Sequence, residues 1–136
     1  MSNTIIQDAR TAIANALTTA GVKSYPYAQS SIPTQAGAEL ELENAEAAIV
    51  DQRAVFNEIV FTLRAYQPMT GNEQQAQSYL DATIASIFVA LGADRTLGNK
   101  FRSIDLQFNG VEFERYTNGA GAAVAVWRVI VTPHPA

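Results

Sequence analysis

Hydrophobic and polar positions alternate most regularly between residues 101 and 132. Ile104, Leu106 and Phe108 fall on one face of a predicted strand and Ser103, Asp105 and Gln107 on the other, the pattern of a half-buried strand. A second run, Val111, Phe113 and Arg115 against Glu112, Glu114 and Tyr116, follows at once, and Asn109-Gly110 between the runs offers a bulge where φ can turn positive. Thr117-Asn118-Gly119-Ala120-Gly121 reads as a turn, and residues 123–132 resume as a strand, so the stretch predicts a hairpin. In its last strand Ala123, Ala125, Trp127, Val129 and Val131 share one face while Val124, Val126, Arg128 and Ile130 share the other. Both faces are largely apolar and both need cover. One cover is a helix layer; the other is either the chain's own fold or a neighbouring subunit, because aromatic residues and arginine are enriched at interface centres.

Upstream, Ile5, Ala9, Ala12, Ile13, Ala16, Leu17 and Ala20 have the i, i+3, i+4 spacing of an amphipathic helix over 4–20. Thr4 with Gln7 has capping-box spacing, and Gly21 stands where a left-handed C-terminal cap is wanted. Residues 22–37, with Pro26 and Pro33, predict an extended surface segment. Residues 38–43 alternate strictly, Ala38, Leu40 and Leu42 against Glu39, Glu41 and Glu43, and predict a strand that Asn44 ends; residues 45–50 fit a helical turn or a further strand. Val55, Ile59, Phe61, Leu63 and Ala65 then share one face of a long central strand, with Asn57 as the exception that suggests a strand end or a bulge. After Pro68 the Thr70/Glu73 pair repeats the capping-box spacing. Ala76, Tyr79, Leu80, Thr83, Ile84, Ile87, Phe88 and Leu91 form a helical stripe that runs to Gly92. Helix, strands, helix, strands with short connections predict an α+β fold, a mainly antiparallel four- to five-stranded sheet with two helices packed on one face.

Length changes this picture little: 136 residues predict a single domain, 1–136, able to bury a core without staples. The absence of cysteine excludes disulfides, thiolate metal sites and cysteine nucleophiles. No window approaches the roughly 20 apolar residues of a membrane span, and no signal-peptide layout opens the chain, so the expectation is a soluble intracellular product without membrane partners. A net charge of -4 with scattered basic residues argues against a duplex-binding surface.

The candidate chemistry is sparse. Glu39, Glu41, Glu43 and Glu46 could hold a divalent cation or do acid and base work, but strand alternation explains them as one wet face. His134, between Pro133 and Pro135, lacks the second group that orients a catalytic base. Gly119 and Gly121 make a G-x-G that leads into a strand rather than a helix, so the turn reading stands. Arg95, Lys100 and Arg102, just past the second helix, are placed to offset its dipole. Neither an enzyme nor a resident cofactor is expected.

The element order resembles that of the tail terminator proteins of long-tailed bacteriophages. The resemblance rests on the opening helix, the Pro-bearing segment 25–33, the strand 55–66 followed by the helix 72–91, and the closing strands. Those carry Gly110-Val111-Glu112-Phe113-Glu114, the small-residue loop and Ala125-Val126-Trp127-Arg128-Val129. It implies a non-enzymatic virion structural protein, a homo-oligomeric ring, typically a hexamer, at the tail end or neck, assembled in the host cytoplasm. Such a ring caps the tail tube, stops its polymerisation and joins it to the head-side connector or stopper protein, and DNA passes through without specific binding. On that reading Val124, Val126, Trp127 and Arg128 pack against the next subunit. Asn118, Gly119, Ala120, Gly121 and Ala122 touch the tube or connector, and Glu39, Glu41 and Glu43 face a water-filled lumen. The alternative is a small α+β ligand-binding or dimeric domain of unrelated function.

Overall fold

The computed structural model describes residues 4–29, 35–69, 73–115 and 121–135. They form α1 (Ile5–Thr19), β1 (Ser24–Tyr25), β2 (Gly37–Val50), β3 (Arg53–Met69), α2 (Glu73–Ala93), β4 (Ser103–Arg115) and β5 (Gly121–Thr132). The fold is α+β as the pattern predicts, and the helices lie on one sheet face. The five strands run in the order β1-β2-β3-β5-β4. The sheet is antiparallel except for the two-residue pairing of β1 with β2. β3 is central, as its apolar face predicts. Ala9, Ile13 and Leu17 of α1, and Leu80, Ile87 and Leu91 of α2, close over Phe61, Leu63, Trp127 and Val129 of the sheet.

The helix ends show how local chemistry sets boundaries. Gly21 takes φ +90°, and the amides of Gly21 and Val22 donate to the carbonyls of Thr18 and Leu17, a Schellman closure that also buries Val22 in the core. At the other end the capping box does not form: the Thr4 hydroxyl donates to the Asp8 carboxylate at 3.1 Å instead of bonding backbone. Residues 70–72, with the second capping-box threonine, lie outside the described residues. α2 runs through Gly92 to Ala93, and its Gln74–Ala93 segment meets the length and apolarity of a membrane span, contrary to the sequence expectation. Its Ala76, Leu80, Ile87 and Leu91 pack inward, but Tyr79 and Phe88 of the expected stripe stay about half exposed. Arg95 does not serve the helix dipole. Its Nε donates to the Ile104 carbonyl and its guanidinium pairs with Asp105, tying the connector to β4.

The largest departure is at β2 and β3. Asn44 does not end its strand: a bulge at Glu43 brings Asn44 opposite Val60, and residues 45–50, which fitted helix or strand, continue the ribbon. The second bulge falls at Asn57, the residue whose polarity broke the alternation. It shifts the parity, so that Phe56 rather than Val55 packs against the core. Asp51 and Gln52 then turn the chain with φ of 51° and 64°, the doubly positive geometry of a tight two-residue hairpin. β5 pairs with β3 only as far as Ile59, so the remainder is a two-stranded arm, and residues 46–54 are all exposed.

Candidate functional site

The expected site residues are distributed over three surfaces. The first is the bare face of the sheet, opposite the helices. The register aligns Glu41, Thr62, Arg128 and Gln107 across it, and beside them Glu39, Arg64, Val126 and Gly110. Two sets that the resemblance assigns to different jobs, Glu39, Glu41 and Glu43 for a lumen and Val126 and Arg128 for a subunit contact, therefore share one face. Charge is largely matched there. Arg64 pairs with Glu114, Arg128 Nε faces Glu43 Oε1 at 3.3 Å without hydrogen-bond alignment, and the Thr62 hydroxyl donates to Glu43. Glu39 accepts the Gln29 amide at 2.6 Å, while Glu41 remains exposed. Val124 of this face is sealed against Tyr66 and Ala122.

Trp127 belongs elsewhere. It is 0% exposed and lies on the helix face, 5.8 Å from the Phe88 ring and 5.2 Å from the Phe108 ring, centroid to centroid. Its parity with Ala125 and Val129 puts it under α2, so it is a core residue and leaves the subunit-contact set. Of the loop residues, Asn118, Gly119 and Ala120 lie outside the described residues. Gly121 and Ala122 are part of β5 and buried, because the strand starts two residues earlier than its hydrophobic run, so they are not loop contacts.

The second surface follows from strand order. α1 packs over β1 and β2, and α2 over β3 and β5. A helix about 10 Å across covers roughly two strands at 4.8 Å spacing, so two helices leave the fifth strand only partly covered. That strand is β4, in which Ile104 is buried but the far end opens. Its helix-side residues Phe108, Val111 and Phe113 are 42%, 42% and 54% exposed, and Phe88 of α2 continues the patch at 41%. Alternation predicted the apolar face of β4; nothing local indicated that it would lie at an edge.

The third surface is an open cleft of about 1110 Å³ at the end of the molecule where the arm leaves the sheet. Ile5 and Asp8 of α1, Arg53 and Phe56 of the arm, Lys100 and His134 line it. His134 Nε2 lies 2.9 Å from the Asn99 carbonyl, the arrangement of an Nε2–H donor, and the Asp8 carboxylate is held by Thr4. The cleft thus mixes cationic Arg53 and Lys100, acidic Asp8 and apolar Ile5 and Phe56, and among the described residues no base is oriented toward a nucleophile. Beside it, Asp94 organises the connector: its carboxylate accepts the Gly98 amide at 2.7 Å and the Thr96 hydroxyl at 3.0 Å, and these bonds lower its pKa. Among the described residues no three His, Asp or Glu side chains converge as metal ligands.

No protein-family model matches the chain, and no curated protein matches it in sequence. Among the described residues the structure is a two-layer α+β arrangement with one sheet face free of helices, a partly exposed edge strand and a projecting ribbon.

Proposed function

We propose that the chain is a non-enzymatic structural subunit similar to phage tail terminators, which assembles with copies of itself into a ring on the end of a tail tube. The ring is hexameric by that resemblance, ends tube growth, receives the head-side connector and leaves a channel for DNA. The observation that carries the reading is the unlike pair of unsatisfied elements: an arm exposed throughout residues 46–54 and a partly exposed apolar edge at β4. Unlike surfaces on one chain favour head-to-tail contacts, which close into a ring where the rotation between copies closes. The bare face, with Glu39 and Glu41 beside ion-paired Arg64 and Arg128, suits a wet lumen that must not hold a polyanion. Electron microscopy of the protein mixed with tail tubes tests this: capped tube ends with a central hole are expected, and bare ends refute it.

The open cleft of about 1110 Å³, with apolar Ile5 and Phe56 beside Arg53 and Lys100, is the feature that favours the second reading, a small ligand-binding domain. Size in solution separates the two. A particle larger than a dimer, or a monomer that assembles only on tubes, favours the ring; a stable dimer that binds a small molecule in the cleft favours the rival.

A further inference from the structure

The arm and the β4 edge stand at different places on the sheet, and each lacks what the other has. The arm carries Ile49 at 82% and Val50 at 47% exposure, and register sets Val50 beside the exposed Arg53. A two-stranded ribbon with no third strand gains stability from a further packing surface. The edge offers the aromatic surface of Phe88, Phe108, Val111 and Phe113, with exposed Asp81 two turns before Phe88 on the same side of α2. We infer that the arm of one copy seats on the α2–β4 surface of the next copy, Ile49 over the phenyl groups and Arg53, on the opposite face of the ribbon with Val50, toward Asp81 of α2.

Reach, area and charge agree on a second copy as the occupant. Five residues of ribbon from Glu46 to Val50 extend roughly 17 Å, about the distance from Phe108 to Phe113. A chain cannot place its own arm there, because the register of β2 on β3 holds the arm two strands away from β4, at the cleft beside α1. The patch leaves roughly 300 Å² of apolar surface open and Ile49 roughly 150 Å². Their sum approaches the apolar share of a roughly 1,000 Å² interface, the lower bound for specific association. An arginine meeting an aspartate beside the apolar contact adds selectivity and salt dependence. Because the contact joins unlike surfaces, it repeats from copy to copy.

This inference rests on the self-assembly part of the ring reading, and sedimentation velocity with three proteins separates the two. Wild type should form species beyond the dimer. Ile49→Glu and Phe113→Glu change exposed positions, so each should keep the wild-type melting temperature yet sediment as a monomer, with association weakened at least about tenfold. An equimolar mixture of the two variants should recover one intact junction and stop at a heterodimer. Arg53→Glu should weaken assembly, and Asp81→Arg added to it should restore it. If wild type assembles but Ile49→Glu assembles equally well, the arm contact is wrong and the ring reading stands. If wild type is monomeric both alone and on tail tubes, both fall. If the mixture of variants stays monomeric, the surfaces do not meet and the inference is overturned.

Discussion

β5 and β4 are neighbours in the sheet and both are rich in apolar residues, yet their fates are opposite. β5 is apolar on both faces and carries the only tryptophan, which by pattern alone makes it the better candidate for a subunit contact. In the structure it is the better-covered of the two: flanked by β3 and β4, roofed by α2, with Trp127, Val129 and Val131 all 0% exposed. β4 has an ordinary one-sided pattern, but it lies at the edge, where α2 reaches only Phe108 through Phe88, and leaves Phe108, Val111 and Phe113 about half open. Apolar content measures how much cover a strand needs. Position in the sheet decides whether the chain supplies it.

The sharpest way to break this comparison is to truncate one residue on each strand. Trp127→Ala removes a fully buried indole and its edge-on contact with Phe88, so unfolding free energy should fall by about 3–5 kcal/mol in urea denaturation. Phe113→Ala on β4 should change it by less than about 0.5 kcal/mol, as exposed substitutions do. Equal losses would mean that β4 is covered within the monomer. Phe108 joins the two strands through its ring, and a double-mutant cycle with Trp127 should give a coupling of about 0.5–1.5 kcal/mol.

Glycine substitutions sharpen the comparison on a smaller scale. Gly110 sits at the β4 bulge with φ +102°, and Gly110→Ala should destabilise by about 1–2 kcal/mol although an added Cβ meets open space. Gly92 in the last turn of α2 has equal room and no positive φ, so Gly92→Ala should stabilise by about 0.5–1 kcal/mol. The opposite signs, read from thermal melts, separate backbone strain from packing.

The smallest effect concerns the connector that carries the chain from α2 to β4. Asp94 has its pKa lowered, first by the Gly98 amide and then by the Thr96 hydroxyl. A depressed carboxylate adds stability above its unfolded pKa and loses it as pH falls through the folded value. Acidification below pH 4 should therefore lower the melting temperature of wild type slightly more than that of Asp94→Asn. An identical acid response would show that the turn does not depend on the charge.

Much of this architecture was legible in the sequence. Period-3.6 and period-2 patterns identified both helices, the central strand and the closing hairpin. Gly21 and Gly110 marked positions of positive φ, and Asn57, polar in an apolar row, marked a strand end or a bulge, of which the bulge forms. These features are written in the residues because each depends on neighbours a few positions away. The α2 stripe was legible too, but not that Tyr79 and Phe88 would remain half exposed. The candidate surfaces were less legible. The arm was obscured because residues 45–50 are alanine-rich and short, and only pairing with 53–59 makes them strand.

What the sequence determined by itself is the α+β class and the parity of the strands between their bulges, because alternation and helical spacing are set by backbone geometry. Tertiary structure alone decided that Trp127 belongs to the core, that Glu39 and Glu41 share a face with Val126 and Arg128, and that the partly exposed apolar strand is β4. The physical reason is width: two helices cover four strands, and the strand order, set by pairings between residues far apart in the chain, selects which strand is left outside.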